Sequence, residues 1–245
     1  MKIAGFFIAV TSLCATALPA QTNPPAATTN AVGAALIAAT RSSPTNWLSR
    51  HEGFVAQAKK GNVNILFLGD SITDNWRSKG KNVWNKAYAP RQAANFGIGG
   101  DRTQHVLWRL EHGELDGIKP KVTVLMIGTN NSNSDPAEDI AEAIRLIIGD
   151  IHARIPSTKI LLLAIFPRNR PNERPAQVEK IHKVNELIAK YDDGKTVKFL
   201  DINSKFLGPD GELHADIMPD FLHPNEKGYQ IWADAMEPTL SEMLK

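Results

Sequence analysis

The chain has 245 residues, of which 42% are hydrophobic and 22% are charged, a composition typical of a folded globular protein. Its 28 basic and 26 acidic residues give a formal net charge of +2, which provides no basic surface of the kind that nucleic acids or anionic membranes require. Its one cysteine excludes an intrachain disulfide, a cysteine-ligated zinc site and an iron–sulfur cluster, so small molecules and neutral polymers remain as partners.

The first 17 residues have the three parts of a secretory signal peptide. A single lysine, Lys2, precedes an apolar run at residues 3–10, and the small residues at 15–17 form a cleavage site. We therefore expect cleavage after Ala17, with Ala20 as the alternative, and a secreted or periplasmic mature protein. The other interpretation is a buried N-terminal helix, since the apolar run is too short to span a bilayer.

Residues 18–44 are rich in alanine, threonine, asparagine and proline, and they carry one charge, at Arg41. This composition is typical of a flexible linker, because such small side chains cannot form a core. Residues 45–245 follow as one domain of roughly 200 residues, which is long enough to bury a substantial core without disulfides.

Five apolar runs rich in β-forming residues predict strands. Several of them are continuously apolar rather than alternating, which is the pattern of parallel strands that helices cover on both faces. The predicted strands are residues 64–69, 93–96, 122–127, 159–166 and 197–202.

Helical patterns lie between and around these strands, at residues 46–60, 102–113, 135–151, 174–192 and 225–244. The third pattern has Asp135 as its N-cap, Pro136 as its first residue and isoleucines at helical spacing along one face. Strand and helix alternate throughout, so the sequence predicts an α/β fold, a three-layer α/β/α sandwich. We further expect the flavodoxin-like strand order 2-1-3-4-5 for its five parallel strands.

Polar and glycine residues follow three strands that this order places side by side. Ser71 follows the first strand, Gly99 and Gly100 follow the second, and Asn130 follows the third. Ligands bind at the carboxyl ends of parallel strands, and neighbouring strands lie about 4.8 Å apart. The backbone N–H groups of Ser71 and Gly100 and the side-chain amide of Asn130 would then converge. Donors that converge beside a hydroxyl nucleophile form an oxyanion hole.

Two residues near the C terminus can activate that hydroxyl. Serine is a poor nucleophile until a base takes its proton, and His223 is the candidate base. Asp220, three residues earlier in a turn, can accept a hydrogen bond from the other ring nitrogen and fix the tautomer. Each of these segments alone is better explained by a turn or a helix cap. Their conjunction predicts a catalytic triad of Ser71, Asp220 and His223.

These segments together resemble the SGNH, or GDSL, hydrolase family, whose motifs supply serine, glycine, asparagine and histidine in this order. Residues 95–110 and 128–131 are similar to the corresponding stretches of the platelet-activating-factor acetylhydrolase catalytic subunits within that family. The resemblance covers residues 46–245. Those subunits are intracellular, whereas this chain has a predicted signal peptide, so their substrate does not carry over.

The resemblance implies an ester hydrolase with Ser71 as the nucleophile and His223 as the base, which Asp220 orients. It also implies that the oxyanion hole consists of Ser71, Gly100 and Asn130, with the second glycine of the Gly99–Gly100 pair as the donor. Secreted relatives of similar design include carbohydrate acetylesterases, so an acetylated glycan is an expected substrate class.

Four further residues lie next to the predicted site in the sequence and are candidate substrate-binding residues: Asp70, Ile72, Trp76 and Leu222. The alternative interpretation of Trp76 is a core position. The remaining histidines lack the spacing of metal ligands, so we expect no metal and no cofactor.

The sequence therefore predicts a secreted serine ester hydrolase that cleaves short-chain acyl esters, acetyl esters above all, of a small molecule or a glycan. One alternative is a lysophospholipase, thioesterase or arylesterase that uses the same triad. Another is a non-catalytic binding protein, since a fold does not determine a function. We expect no nucleic-acid partner and no membrane span, and a homodimer is left open.

Overall fold

The computed structural model describes residue 1 and residues 32–41, 45–169 and 175–245. Val32–Lys245 forms one compact unit, which contains every element discussed below. The predicted signal peptide, apart from its first residue, and most of the predicted linker lie outside the described residues. Within the described ranges, no helix combines the length and the apolar character that crossing a membrane requires.

A parallel sheet forms the middle layer of this unit. Its strands are β1 (Ile65–Gly69), β2 (Ala93–Gly97), β3 (Val122–Met126), β4 (Lys159–Leu163) and β5 (Val197–Leu200). They lie in the order β2-β1-β3-β4-β5, which confirms the predicted fold class. Every residue of β1 and β3 is buried, because their side chains enter an apolar layer on each face of the sheet.

Helices cover both faces of this sheet. They are α1 (Thr45–Ala58), α2 (Ser71–Asp74), α3 (Lys81–Ala87), α4 (Thr103–Glu111), α5 (Ala137–Arg154), α6 (Pro175–Ile188) and α7 (Glu226–Met243). Leu66 of β1 packs into one core cluster together with side chains of α1, α4, α5 and α6. Its neighbour Phe67 packs into a second cluster with side chains of α2, α3 and α7. The alternation along β1 therefore separates two apolar cores, as in a three-layer sandwich.

Helix α5 begins at Ala137, with Pro136 in the N-cap position. The prediction that Asp135 caps this helix is wrong, because its carboxylate has other partners. It accepts hydrogen bonds from Asn131 Nδ2 at 2.9 Å and from Ser134 Oγ at 3.3 Å. Asp135 thus fixes the loop that follows β3 rather than the helix.

Residues 32–41, the described part of the predicted linker, lie against the α/β domain. Ala35 is fully buried, and its carbonyl accepts a hydrogen bond from Thr103 Oγ1 at 2.9 Å. The Ala39 N–H donates to the carbonyl of Gln104 at 3.1 Å. This segment therefore differs from the predicted linker, since the small side chains that indicated flexibility allow it to pack closely on α4.

The register of the sheet brings three strand ends to one level. Gly69, the last residue of β1, pairs with Gly97 of β2 on one side and with Met126 of β3 on the other. Helix α2 starts directly beyond β1 and passes close to β2. A Cβ atom on Gly97 would lie 2.4 Å from the backbone nitrogen of Asp74. This close approach requires glycine at position 97.

We predict that Gly97→Ala lowers the free energy of unfolding by about 1–3 kcal/mol, because α2 must move to admit the methyl group. Gly149→Ala is the matched control, since Gly149 lies within α5 and a Cβ atom there would meet nothing within 4 Å. Alanine favours the helix, so this variant should gain roughly 0.5–1 kcal/mol. Denaturant unfolding measures both changes. A Gly97→Ala protein as stable as wild type would contradict this account of the close approach.

Candidate active site

Ser71 is the first residue of α2, two positions beyond the carboxyl end of β1. Asp70 caps this short helix, since one of its carboxylate oxygens accepts a hydrogen bond from the Ile72 N–H at 2.9 Å. The cap fixes the turn between strand and helix. Ser71 is consequently held at the edge of the sheet, where it is half-buried.

His223 and Asp220 reach the Ser71 hydroxyl from the loop that precedes α7. Ser71 Oγ lies 2.9 Å from His223 Nε2, and His223 Nδ1 lies 2.7 Å from Asp220 Oδ2. Asp220 Oδ1 also accepts the backbone N–H groups of His223 at 2.8 Å and of Leu222 at 3.2 Å. The structure therefore brings the three residues together in the hydrogen-bonding order of a triad.

The Asp220 carboxylate sets the protonation pattern of this triad. Burial raises the pKa of Asp220, but the hydrogen bonds from the side chain and backbone of His223 outweigh it, so the pKa lies below its usual value. An ionised Asp220 holds the imidazole proton on Nδ1, which leaves the Nε2 lone pair for the Ser71 hydroxyl. The His223 side chain is 28% exposed and is thus accessible to a substrate.

Three N–H donors lie at the same edge of the sheet. Among the described residues, neither the Ser71 N–H nor the Gly100 N–H has a hydrogen-bond acceptor. Asn130 Nδ2 makes one hydrogen bond there, to the Asp101 carbonyl at 2.8 Å, which leaves its second N–H. A Cβ atom on Gly99 would lie 3.8 Å from Ser71 Cβ, so this loop borders the Ser71 side chain. Unpaired donors beside a hydroxyl are what an oxyanion hole requires.

A buried group of charged residues anchors the loop that carries Gly100. The Asp101 carboxylate accepts a hydrogen bond from Trp47 Nε1 at 2.7 Å and forms an ion pair with Arg109 Nε at 3.1 Å. Arg109 Nη1 also donates to Glu114 Oε1 at 2.7 Å. Burial raises the pKa of Asp101 to about 6, although the positive charge of Arg109 opposes that shift. These contacts compensate the buried charges, and they hold the loop around Asp101 in place.

This buried group was not predicted from the sequence. Arg109 lies on the face of α4 that carries Val106 and Leu110, and all three side chains are fully buried. A charged residue at the apolar spacing of a helix is the signal that could have revealed a buried ion pair. Its partner Asp101 directly follows the glycine pair.

Two polar side chains hold the loop that carries Asn130. Asn131 Oδ1 accepts the Thr103 N–H at 3.0 Å, which ties this loop to the start of α4. Arg168 Nη1 donates to the Thr129 carbonyl at 2.7 Å. Both neighbours of Asn130 are thus fixed, and the Asn130 amide is presented from a rigid turn.

The candidate substrate-binding residues lie beneath the site rather than at its surface. Their exposed fractions are 1% for Asp70, 1% for Ile72, 0% for Trp76 and 5% for Leu222. For Trp76 the prediction of a substrate contact is wrong, since its ring centroid lies 4.4 Å from that of Tyr229 and 4.9 Å from that of Trp232. The short turn after α2 directs this indole into the second core cluster.

The arrangement contains the groups that transfer of an acyl group to serine needs. It supplies a hydroxyl, a base in contact with it, a carboxylate that orients the base and N–H donors for developing negative charge. In the described part of the chain, no three histidine, cysteine, aspartate or glutamate side chains are grouped so as to hold a metal ion.

The chain is similar in sequence to known proteins. Residues 67–231 match the model of the GDSL-like Lipase/Acylhydrolase family. The chain is 38% identical over 201 residues to platelet-activating factor acetylhydrolase IB subunit alpha2 of Rattus norvegicus, with 81% of this chain and 85% of that protein covered. It is also 38% identical over 200 residues to subunit alpha1 of Homo sapiens, with 81% and 84% covered.

Solved structures share the fold. A GDSL-like lipase from Bacteroides thetaiotaomicron has a TM-score of 0.64 at 18% identity, with 78% of this chain and 97% of that chain covered. A catalytic mutant of an acetylxylan esterase from Geobacillus stearothermophilus has a TM-score of 0.56 at 19% identity, with 75% and 94% covered. Identities this low indicate a shared fold and no more.

We predict that the buried Asp70 carboxyl makes stability fall as pH rises. Burial raises its pKa to about 7, whereas an aspartate in the unfolded chain ionises near pH 4. Between these values the folded state binds more protons. The free energy of unfolding therefore loses on the order of 4 kcal/mol from this group between pH 4 and pH 8.

Asp70→Asn provides the measurement, because the amide keeps an oxygen for the Ile72 N–H but does not titrate. Urea unfolding of both proteins from pH 4 to pH 8 should show the variant gaining stability relative to wild type as the pH rises. Groups that titrate in both proteins cancel in this difference. A difference that stays constant with pH would contradict the raised pKa of Asp70.

Proposed function

We propose that this chain, which belongs to the GDSL-like lipase/acylhydrolase family, is a serine esterase that cleaves short acyl esters through an acyl-enzyme on Ser71. The observation that carries the proposal is the continuous hydrogen-bonded line from Ser71 Oγ through His223 to Asp220, with distances of 2.9 and 2.7 Å. With these three side chains in contact, hydrolysis requires that an ester bind beside Ser71, at the partly buried edge of the sheet.

In the first half of the reaction, Ser71 Oγ attacks the carbonyl carbon of the ester while His223 Nε2 takes the hydroxyl proton. The carbonyl oxygen becomes an oxyanion, which the N–H groups of Ser71, Gly100 and Asn130 stabilise. When this intermediate collapses, the bond to the alcohol breaks and the alcohol leaves with the proton from His223. The acyl group remains on Ser71.

In the second half, water replaces the alcohol. His223 Nε2 removes a proton from the water as the water oxygen attacks the acyl carbon, and the same donors stabilise the second oxyanion. Collapse breaks the bond to Ser71, which recovers its proton from His223. The products are a carboxylic acid and the regenerated enzyme, and Asp220 stays ionised throughout.

The acyl group is proposed to be acetyl, and two observations support this choice. The curated relatives at 38% identity are named for acetyl hydrolysis of platelet-activating factor. Ile72 and Leu222, the neighbours of the nucleophile and the base, are buried in the second core cluster. The core volume beside Ser71 and His223 is thus occupied, which favours a small acyl group over a long chain.

The alcohol side is proposed to be a carbohydrate outside the cell. The predicted signal peptide supports export, and the similarity of the fold to that of an acetylxylan esterase is the support for an acetylated glycan. An N terminus at Leu18, measured on protein recovered from outside the cytoplasm, is the result expected from export. Recovery of full-length protein from the cytoplasm alone would contradict it.

We predict that Asn130→Ala lowers kcat by about 10²–10³ with a much smaller change in KM, because the lost donor acts on charge that develops in the transition state. Steady-state hydrolysis of p-nitrophenyl acetate measures both constants. Ser71→Ala is the control for contaminating esterases, since loss of the nucleophile should remove on the order of 10⁶ of kcat. A pure KM effect at Asn130 would instead make this residue a ground-state binding group.

We predict that kcat/KM is highest for acetate or butyrate among p-nitrophenyl esters from acetate to palmitate. A methylene that fits a pocket gains about 0.8 kcal/mol, whereas one that overpacks it loses about 1–3 kcal/mol. Each carbon beyond the limit of the pocket should therefore reduce kcat/KM roughly five- to a hundredfold. A maximum at octanoate or longer would contradict the small pocket and favour a lipase or thioesterase.

A further inference from the structure

The guanidinium group of Arg41 lies against the peptide bond between Gly99 and Gly100. Arg41 Nη1 donates a hydrogen bond of 2.7 Å to the Gly99 carbonyl. A Cβ atom on Gly100 would lie 2.7 Å from Arg41 Nη2, so the guanidinium occupies the space that a side chain would take there. Arg41 precedes residues 67–231, the range that matches the family model.

This arginine belongs to the packed segment 32–41 and is only partly exposed. Two contacts hold the segment on the start of α4: the Ala35 carbonyl accepts from Thr103 Oγ1, and the Ala39 N–H donates to Gln104. The segment therefore brings a positive charge to the loop after β2 from a part of the chain remote in sequence.

The contacted carbonyl and the Gly100 N–H belong to one peptide unit. A trans peptide is planar, and its C=O and N–H point in opposite directions. A hydrogen bond that fixes the Gly99 carbonyl toward Arg41 consequently aims the Gly100 N–H away from Arg41. That N–H has no acceptor among the described residues.

Two adjacent glycines give this peptide unusual freedom to rotate. Gly100 has φ +79°, a conformation that glycine adopts readily and that few other residues do. The Gly99 N–H is held by Asp74 Oδ2 at 3.1 Å, and the Asp101 N–H is held by the Ile98 carbonyl at 3.1 Å. Among the described residues, the Gly99–Gly100 peptide between them is held at its carbonyl alone, by Arg41.

We infer that Arg41 is a positioning residue of the oxyanion hole, which holds and polarises the Gly99–Gly100 peptide so that the Gly100 N–H is aimed at the developing oxyanion. A charge-assisted hydrogen bond is stronger than a neutral one, and it polarises the amide to which it is made. A donor oriented before the reaction requires no reorganisation in the transition state. The inference rests on the proposed function, in which Gly100 donates to the oxyanion.

The test compares Arg41→Ala, Arg41→Lys and the wild-type enzyme in hydrolysis of p-nitrophenyl acetate. Removal of a whole oxyanion-hole donor reduces kcat by about 10²–10³, so loss of its orientation should reduce kcat by about 10- to 100-fold. KM should change little, since the effect arises in the transition state. Ile37→Ala is the matched control, because Ile37 lies in the same segment with an exposed side chain and should keep the wild-type kcat.

Rescue distinguishes this role from a merely structural one. Arg41→Lys retains a cationic donor and should recover part of kcat, and millimolar guanidinium chloride should recover part of kcat in Arg41→Ala. The denaturant midpoints of the Arg41 variants should equal that of the wild-type protein within error. A lowered kcat that neither lysine nor guanidinium restores would overturn the inference, because any cationic donor that reaches the carbonyl should restore it.

An unchanged kcat in Arg41→Ala would overturn the inference alone, provided that wild type is active and Ser71→Ala is inactive. A rise in KM at constant kcat would also overturn it, since Arg41 would then contact the bound substrate. If Arg41→Ala fails to fold, Arg41→Met decides by the same criteria, because methionine fills similar space but has no group that donates a hydrogen bond to the Gly99 carbonyl. A wild-type protein that leaves every ester intact would instead overturn the proposed function, and this inference with it.

Discussion

The candidate active site depends on the register of β1 with its two neighbours. Gly69 pairs with Gly97 and with Met126, so the loops that carry Ser71, Gly100 and Asn130 leave the sheet at one level. In a sheet that is buried on both faces, a shift of one residue would exchange the side chains of the two cores. The packing of the cores therefore fixes where Ser71 and the three N–H donors meet.

Buried charges then hold the loops that the register has placed. Asp101, Arg109 and Glu114 are fully buried, and a group of this kind loses the hydration of every member. Such pairing contributes little net stability, but removal of one member leaves an uncompensated charge. The Asp220 carboxylate is likewise stabilised by its neighbours, since it accepts hydrogen bonds from the backbone and the ring of the partly exposed His223. The buried ion pairs lie beside the candidate site, whereas Ser71 and His223 remain partly exposed.

The fold and the proximity of Ser71, His223 and Asp220 were accessible from the sequence because both follow from patterns along the chain. Continuous apolar runs separated by helical segments predict the parallel sheet, and residues just after parallel strands share one edge. Trp76 was misplaced because five residues of separation from Ser71 do not determine the direction of a side chain beyond a short helix. The packing of residues 32–41 was missed because it depends on residues distant in sequence, which composition does not encode. The hydrogen bond from Arg41 to Gly99 was missed for the same reason.

The most direct test of the account is covalent labelling of the proposed nucleophile by an organophosphorus reagent such as a fluorophosphonate. Its phosphorus mimics the tetrahedral intermediate, so labelling requires the same hydroxyl, base and N–H donors as ester hydrolysis. Intact mass and peptide mapping should show one adduct per chain, on Ser71, with labelling greatly slowed in His223→Ala. An active enzyme that labels at another residue, or that remains unlabelled, would contradict the assignment of Ser71 as the nucleophile.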